Sequence, residues 1–260
     1  MDEHPPVWRA GMLITTILVV ILPAWVLWRG LPALSLSFWR ALTPQLFASV
    51  YVLILSLLLS CPLALATATY LNEYADPRLA RLLSRGLEMQ AATPAVVVGM
   101  LGMIVFVEQM HLGFTLIGGA VSLGVLNLPF LVRVAQEAMA LVPPALREGS
   151  LALGATRFNT WRRIILPLAS SSFSAGLVLA AGRGLGEAAA LLFTAGAVPA
   201  SRPFSLNPFG PGATLAVHLW YLQAEGAGGG REAEGTAAVL LLLWLGLVLL
   251  AKLFETANGT

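Results

Sequence analysis

The sequence predicts an all-α membrane protein with six transmembrane helices. Of its 260 residues, 58% carry hydrophobic side chains and only 11% are charged, so its polar surface is too scarce to enclose the apolar content in water. The apolar residues also gather into stretches of roughly 20, the length that a helix needs to cross a bilayer. Because the net charge of +2 is small and the arginines lie between apolar blocks, we expect no nucleic acid partner.

The six predicted spans are 10–28, 46–69, 89–107, 114–132, 168–195 and 236–254. The third is the weakest, because Pro94 and the pair Gly99 and Gly102 lower helix propensity, although packed membrane helices tolerate both residue types. The first is longer than the apolar part of a signal peptide, so we expect a retained helix. The polar connections are short, and residues 1–260 are expected to form a single transmembrane domain.

The basic residues indicate the orientation, because Lys and Arg of short loops stay on the cytoplasmic side. If the N-terminus is inside, the inside set is Arg9, Arg78, Arg81, Arg85, Arg133, Arg147, Arg157, Arg162, Arg163 and Lys252. The outside set is Arg29, Arg40, Arg202 and Arg231. This excess predicts that both termini are cytoplasmic. In the longest outside connection, we expect a short interfacial helix around 215–222 and a flexible hinge at 226–230.

The residue types exclude several kinds of chemistry. A phosphate-binding P-loop needs a lysine after its glycines, and the only lysine, Lys252, lies in the last apolar segment. The three histidines are far apart, which argues against a metal site, and the single cysteine, Cys61, is expected to be a small buried hydrophobe. We therefore expect neither an enzyme activity nor a cofactor. Asn127, two positions before Pro129, is expected to satisfy a backbone group that the proline leaves free.

The loop between the fourth and fifth spans, 132–167, is polar and basic. Pro143 and Pro144 predict the start of a helix, Gly154 its end or a bend, and residues 158–165 a second helix. Two short helices joined at a glycine can dock into a cleft of another protein. The alternative is a basic amphipathic stretch that lies on anionic lipid.

At this loop the sequence resembles the importer permeases of ATP-binding-cassette systems. Their signature is Glu-Ala-Ala, three residues, Gly, nine residues, Ile, one residue and Leu-Pro, and it is matched here by Glu148, Gly154, Ile164, Leu166 and Pro167. Gly149 and Ser150 replace the two alanines. The resemblance implies a type I importer permease fold, with coupling helices between helices 4 and 5 that dock on a separate ATPase subunit. ATP hydrolysis would then belong to that partner.

The fifth span contains Arg183 and Glu187, spaced one helical turn apart. Ionisable groups inside a membrane are costly unless they face protein or water, so both are candidates for the substrate pathway. Arginine offers a planar fork of donors that suits an oxyanion, and Glu187 would hold the arginine or compete with the anion for it. The alternative is a purely structural ion pair between packed helices.

The stretch 182–196 resembles the fifth-helix motif of phosphate-importer permeases, as do 70–75 and 30–35, and the match is closer to the A-type subunit than to its C-type partner. In that family Thr-Ala-Pro usually follows the Gly-Glu pair, whereas Ala188, Ala189 and Ala190 stand here, so we expect a straighter helix.

The resemblance implies a bacterial cytoplasmic membrane protein that transports phosphate. The implied partners are a second homologous permease subunit, two ATPase subunits on the cytoplasmic loop, and an extracytoplasmic phosphate-binding protein. Two alternatives stay open. The substrate is another oxyanion or small solute, such as molybdate, sulfate or phosphonate, or the protein is a membrane scaffold or enzyme without a transport role.

Overall fold

The computed structural model describes residues 6–198, 204–224 and 230–258, and none of these residues forms a β-strand. Their helices are α1 Pro6–Gly30, α2 Leu36–Glu73, α3 Pro77–Ala91, α4 Ala95–Gly102, α5 Leu116–Ala140, α6 Pro144–Ala152, α7 Arg157–Thr160, α8 Leu166–Leu185, α9 Ala189–Thr194, α10 Leu215–Ala224 and α11 Gly230–Asn258. A 3₁₀ turn, Leu31–Ala33, follows α1. Two π-helical stretches extend shorter helices: Met103–Gln109 continues α4, and Trp161–Ile165 joins α7 to α8.

Five helical segments in the described part of the chain are long and apolar enough to cross a membrane. A sixth crossing results if α3 and the helix formed by Ala95–Gln109 count as one span, although the two are bent by 92°. The predicted all-helical membrane fold is thereby confirmed, with five crossings, or six if the bent pair counts as one. The straight third span at 89–107 is wrong, because the chain turns at Ala92–Pro94. Proline has no N–H to continue the helix and disfavours helical geometry in the residue before it.

The bent pair formed by α3 and the helix Ala95–Gln109 is called here the elbow. Its two arms differ in burial and in length. Helix α3 has no buried residue, and Arg78, Arg81 and Arg85 are exposed. Asp76 caps the start of α3 by accepting hydrogen bonds from two backbone N–H groups, at 2.8 and 3.1 Å. A basic amphipathic helix of this kind suits the membrane surface. The other arm, Ala95–Gln109, reaches only about 22 Å at 1.5 Å per residue, which is shorter than the hydrocarbon core.

Helices α2, α5 and α8 form the centre of the protein, and α11 packs on α8 and α1. Alanines dominate the contact between α2 and α5, where Ala64, Ala68 and Ala135 are at most 1% exposed. Small side chains let membrane helices approach closely, since burial of apolar surface gives little gain when the alternative is lipid. Helix α1 is outermost, and its aliphatic side chains are exposed in a position that suits lipid.

The fifth predicted span is interrupted. Helix α8 ends at Leu185 and α9 begins at Ala189. In the interruption, the N–H groups of Gly186 and Glu187 bond to carbonyls three residues back, at 3.3 and 3.2 Å. The expectation of a straighter, continuous helix over 168–195 is therefore wrong. The helix ends here without the family's proline, by tightening into 3₁₀-type hydrogen bonds at a glycine.

The connection between α9 and α10 folds back into the protein. Its Gly210 carbonyl accepts a hydrogen bond from Leu116 N at 2.9 Å, and Leu215 N donates to Ser49 Oγ at 2.7 Å. The first four residues of α10 are buried, whereas Trp220 is 49% exposed. The expectation of an interfacial helix is thus wrong for the first half of α10. Residues 226–229 of the predicted hinge and Arg202 lie outside the described residues.

Pro129 leaves the Val125 carbonyl without its helical partner inside α5. Gln90, at the end of α3, supplies the missing donor, with Nε2 2.7 Å from the Val125 oxygen. The expectation that Asn127 would satisfy the freed carbonyl is therefore wrong. The partner lies 35 positions away along the chain, and the hydrogen bond fastens the elbow to α5.

Gln90→Leu is expected to lower the free energy of unfolding by about 1 kcal/mol, the usual net value of one hydrogen bond. In a Pro129→Ala background the new backbone N–H bonds to Val125, and the same Gln90 substitution should then cost close to nothing. Thermal unfolding in detergent of the wild type, the two single variants and the double variant measures the coupling between the two positions. Equal costs in both backgrounds would contradict the assignment.

Gly99 brings α4 against α9. A Cβ at Gly99 would lie 2.7 Å from Ala190 Cα and 3.0 Å from its carbonyl oxygen, both backbone atoms that cannot swing aside. Gly99→Ala is therefore expected to destabilise the protein by about 1–3 kcal/mol. Gly86→Ala, where nothing lies within 4 Å, is the control and should be neutral or slightly stabilising. Similar melting temperatures for the two variants would refute this close approach.

Candidate functional site

The two broken helices meet at a small cavity, called here the central cavity. Its volume is about 40 Å³, room for a few water molecules. The elbow, the middle of α5 and the interruption after α8 line it, through Gln90, Ala91, Thr93, Ala95, Leu123, Leu126, Asn127, Arg183, Gly184 and Glu187. Irregular backbone at membrane depth is tolerated where it is buried in protein or lines a cavity. The breaks and the polar side chains thus coincide.

The structure brings the two predicted pathway residues, Arg183 and Glu187, to this cavity. Arg183 lies in the last turn of α8 and is exposed, whereas Glu187 lies beyond the end of α8 and is half-buried. The prediction that both share one helical face is wrong, because the helix ends between them. Within the part of the chain that the structure describes, the two side chains form no ion pair, so the geometry does not support the purely structural alternative.

Helix ends hold these two charges apart. Glu187 Oε1 accepts a hydrogen bond from Ala190 N at 3.2 Å and so caps the first turn of α9. The partial positive charge of a helix N-terminus favours this carboxylate, and the partial negative charge at the end of α8 favours Arg183. Arg183 forms no side-chain hydrogen bond or ion pair with the described residues, so its guanidinium donors stay available to an anion.

Asn127 is a further polar residue of the central cavity that sequence reasoning had assigned another role. Its side chain is 1% exposed, and its Nδ2 finds no hydrogen-bond partner among the described residues. A buried donor without a partner costs about 1–3 kcal/mol. Gly184 faces it from α8: a Cβ added there would lie 3.3 Å from Nδ2. In the sequence, only the position of Asn127 inside an apolar span indicated that this residue has a role.

The loop 143–167, called here the coupling segment, has the predicted local structure. Helix α6 starts at Pro144, and Gly154 follows its end with a φ of +82°, a left-handed conformation that favours glycine. The second helix begins at Arg157, capped by the hydroxyl of Thr156, which accepts from Asn159 N at 3.3 Å. The Ser150 and Thr160 hydroxyls, 2.9 Å apart, join the two helices.

The five predicted coupling residues fall into two groups. Glu148 and Gly154 are exposed at the tip of the segment. Ile164 and Leu166 are half-buried at its base, where Pro167 enters α8. Apolar side chains accompany the tip, with Leu146 45%, Leu151 44% and Leu153 91% exposed. Exposed leucines on a polar, protruding segment suit contact with another protein.

Glu73, at the end of α2, anchors the coupling segment. Its carboxylate accepts from Arg147 Nη1 at 2.7 Å, and its backbone carbonyl accepts from Arg157 Nη1 at 2.6 Å. Arg147 Nη2 also donates to the carbonyl of Met139 in α5 at 2.6 Å. These contacts connect the coupling segment directly to α2 and α5. Sequence reasoning gave Glu73 no role, although it noted 70–75 as family-like, because its partners lie far along the chain.

Comparisons with known proteins identify relatives of this chain. The chain is 39% identical over 236 residues to the probable ABC transporter permease protein YqgI of Bacillus subtilis, covering 82% of this chain and 80% of that protein. It is 32% identical over 201 residues to the phosphate transport system permease protein PstA 1 of Mycobacterium tuberculosis, covering 70% and 66%.

Solved structures show the same fold. The bacterial alginate ABC transporter in complex with an alginate pentasaccharide-bound periplasmic protein contains a chain that matches with a TM-score of 0.68 at 18% identity, covering 97% of this chain and 96% of that one. The MetNI methionine ABC transporter matches with a TM-score of 0.56 at 20% identity, covering 91% and 94%. At these identities the likeness concerns the fold alone, which is that of type I importer permeases.

The family model of the binding-protein-dependent transport system inner membrane component matches residues 60–257, which include the coupling segment and the Arg183 region. With the apolar helices, this match identifies a multi-pass membrane protein. The chain belongs to this family, and it is a permease subunit of an ATP-binding-cassette importer.

Proposed function

We propose that this permease subunit carries inorganic phosphate across the bacterial cytoplasmic membrane by alternating access. The observation that carries the proposal is the Arg183 side chain, which lies at the central cavity without pairing with Glu187. A guanidinium offers parallel N–H donors to two oxygens of a tetrahedral anion. The similarity to PstA 1 of Mycobacterium tuberculosis, whose name specifies phosphate, supports the same substrate.

Glu187 favours phosphate over fully deprotonated oxyanions. One of its oxygens caps α9, and the other is left to accept a hydrogen bond. Phosphate carries a P–OH donor at neutral pH, whereas sulfate and molybdate carry none. An acceptor beside Arg183 therefore attracts hydrogen phosphate and repels the others, which is selection by an unfavourable contact as well as a favourable one.

The complete importer supplies what this subunit lacks. A second homologous permease would cover the exposed Arg183 and close the pathway, and an extracytoplasmic phosphate-binding protein would deliver the substrate. Two ATPase subunits would dock on the coupling segment, with Glu148 and Gly154 at the contact and Ile164, Leu166 and Pro167 at the base. The whole chain, 1–260, acts as one permease domain in the lipid bilayer, with both termini cytoplasmic.

Energy enters through the coupling segment. Closure of the ATPase pair displaces the segment, and the contacts of Glu73 with Arg147 and Arg157 pass the displacement to α2 and α5. The helices then reorient around the central cavity, which opens to one side and closes to the other. Arg183 holds the anion only moderately, since an ion that binds too tightly cannot leave.

Arg183→Gln is expected to reduce phosphate uptake roughly 10- to 100-fold, because a charge-assisted hydrogen bond contributes about 1.5–3 kcal/mol. Arg183→Lys should retain part of the activity, since it keeps the charge but loses the fork. Uptake of radiolabelled phosphate is measured in proteoliposomes that contain the whole importer. Arg29→Gln, which removes a half-exposed ion pair with Glu234, is the control.

Three outcomes would contradict this assignment. Full uptake by Arg183→Gln would remove Arg183 from the pathway. Competition by sulfate or molybdate as strong as that by unlabelled phosphate would favour another oxyanion. Absence of uptake with every anion, in an importer that assembles normally, would favour a scaffold.

Gly154→Ala is expected to weaken coupling several-fold, because an alanine at a φ of +82° costs about 1–2 kcal/mol and reshapes the tip of the segment. Gly149→Ala is the matched control: it lies in α6, a Cβ there meets nothing within 4 Å, and alanine favours a helix. Co-purification of the ATPase and its substrate-stimulated activity are measured for both. Equal behaviour of the two variants would show that the glycine turn plays no part in coupling.

A further inference from the structure

We propose that Asn127 is a second substrate-contacting residue of the central cavity, and that its amide donates a hydrogen bond to the oxyanion that Arg183 binds. The inference rests on the proposed function and adds to it a specific neutral donor on α5. Three observations carry it: the burial of Asn127, the unused donor, and the position of Asn127 beside Arg183 and Gly184 in the lining of the central cavity.

No hydrogen bond within the described structure explains why an asparagine amide stands at position 127. Its side chain is 1% exposed and Nδ2 has no partner in the described structure. The nearby backbone acceptor, the Val125 carbonyl that Pro129 leaves without a helical donor, already accepts a hydrogen bond from Gln90 at 2.7 Å. Buried polar groups are nearly always hydrogen-bonded, so an unpaired donor at a cavity points to a partner that is present only part of the time.

The surroundings of the amide fit an anion. Gly184 of α8 lets the helix pack closely at the amide: a Cβ there would lie 3.3 Å from Nδ2 and 3.0 Å from Leu53 Cδ1, so a larger side chain would crowd the donor. Arg183 precedes this glycine, and both line the same cavity as Asn127. The amide and the guanidinium thus approach the cavity from two different helices.

A neutral second donor has a distinct effect on recognition. Arg183 alone attracts anions of any shape, since its charge acts over distance. An amide N–H acts only on an acceptor at the right place, so it selects an oxyanion without adding a charge that would trap the ion. In the conformation described, the amide is sealed from solvent and the cavity holds about 40 Å³. The helices therefore have to separate before substrate reaches Asn127.

The test compares Asn127→Leu with wild type in the reconstituted importer. Leucine keeps the branched outline of asparagine, with somewhat more volume, and removes the unpaired donor, so assembly and thermal stability should be kept. Phosphate uptake should nevertheless fall about tenfold in maximal rate, the loss expected for one hydrogen bond to a charged ligand. The half-saturating phosphate concentration should stay unchanged, because the binding protein sets it. ATPase activity without phosphate should also stay unchanged.

A matched control is Thr214→Val. The Thr214 hydroxyl is also buried and finds no partner among the residues that the structure describes, but Thr214 does not line the central cavity. Its replacement should leave uptake at the wild-type level. If Asn127→Leu fails to assemble, Asn127→Ala, which introduces no new bulk, should show the same loss of maximal rate.

The outcomes separate the two proposals. Wild-type uptake is measured first with phosphate, then with sulfate and molybdate. Transport of another oxyanion in place of phosphate overturns the proposed substrate. Unchanged maximal uptake of the transported oxyanion by a well-assembled Asn127 variant overturns the role of Asn127 and leaves Arg183 untouched. An equal loss in Thr214→Val would also overturn it, because the effect would then be one of packing.

Discussion

Every backbone N–H and C=O at membrane depth has to find a partner, because lipid offers none. This constraint decides where the present chain can be irregular. The bend before α4 and the gap after α8 both depart from helical geometry, and both border the central cavity. A side chain at each supplies a missing backbone partner: Gln90, beside the bend, donates to the α5 carbonyl that Pro129 releases, and Glu187, in the gap, accepts from the first turn of α9. The polar site exists because broken helices need polar groups.

The same breaks organise the charges. Interruption of the fifth span creates a helix C-terminus beside Arg183 and a helix N-terminus beside Glu187, so each charge is stabilised by backbone rather than by the other. A continuous helix would have stacked them one turn apart and encouraged an ion pair. Because of the gap, Arg183 and Glu187 do not form an ion pair with each other. Arg183 can then donate to a substrate, and Glu187 can accept from it.

Sequence reasoning located what depends on local pattern. Apolar stretches gave the crossings, and the proline pair with Gly154 gave the two helices of the coupling segment. It failed where contacts between distant parts of the chain decide. Gln90 and Val125 are 35 positions apart, and Glu73 and Arg147 are 74 apart, so no periodicity reveals either pair. The end of α8 was also not predicted. The alanines at 188–190 have a high helix propensity and indicate a continuous helix, and only the structure shows the 3₁₀-type hydrogen bonds at Gly186 that end it.

Asn127 illustrates the same difficulty in the site itself. A nearby proline offered a reasonable structural explanation for an asparagine in an apolar span. Only the placement of Gln90 from another helix shows that this task is already done, and only the folded chain brings the amide beside Arg183 in the lining of the central cavity. The role of Asn127 is inferred from the missing hydrogen-bond partner of its amide, and a sequence does not show which donors are unpaired.

Helix α2 has 38 residues and is uninterrupted despite Pro44 and Pro62, so it measures about 57 Å against a hydrocarbon core of about 30 Å. Near its middle Tyr51 donates to the carbonyl of Leu206 in the α9–α10 connection, and at its C-terminal end Glu73 holds the coupling segment. One continuous helix thus joins these two contacts. If it moves as a rigid body about its middle, a displacement at Glu73 would shift the opposite end the other way, so that one mouth of the pathway would open as the other closes.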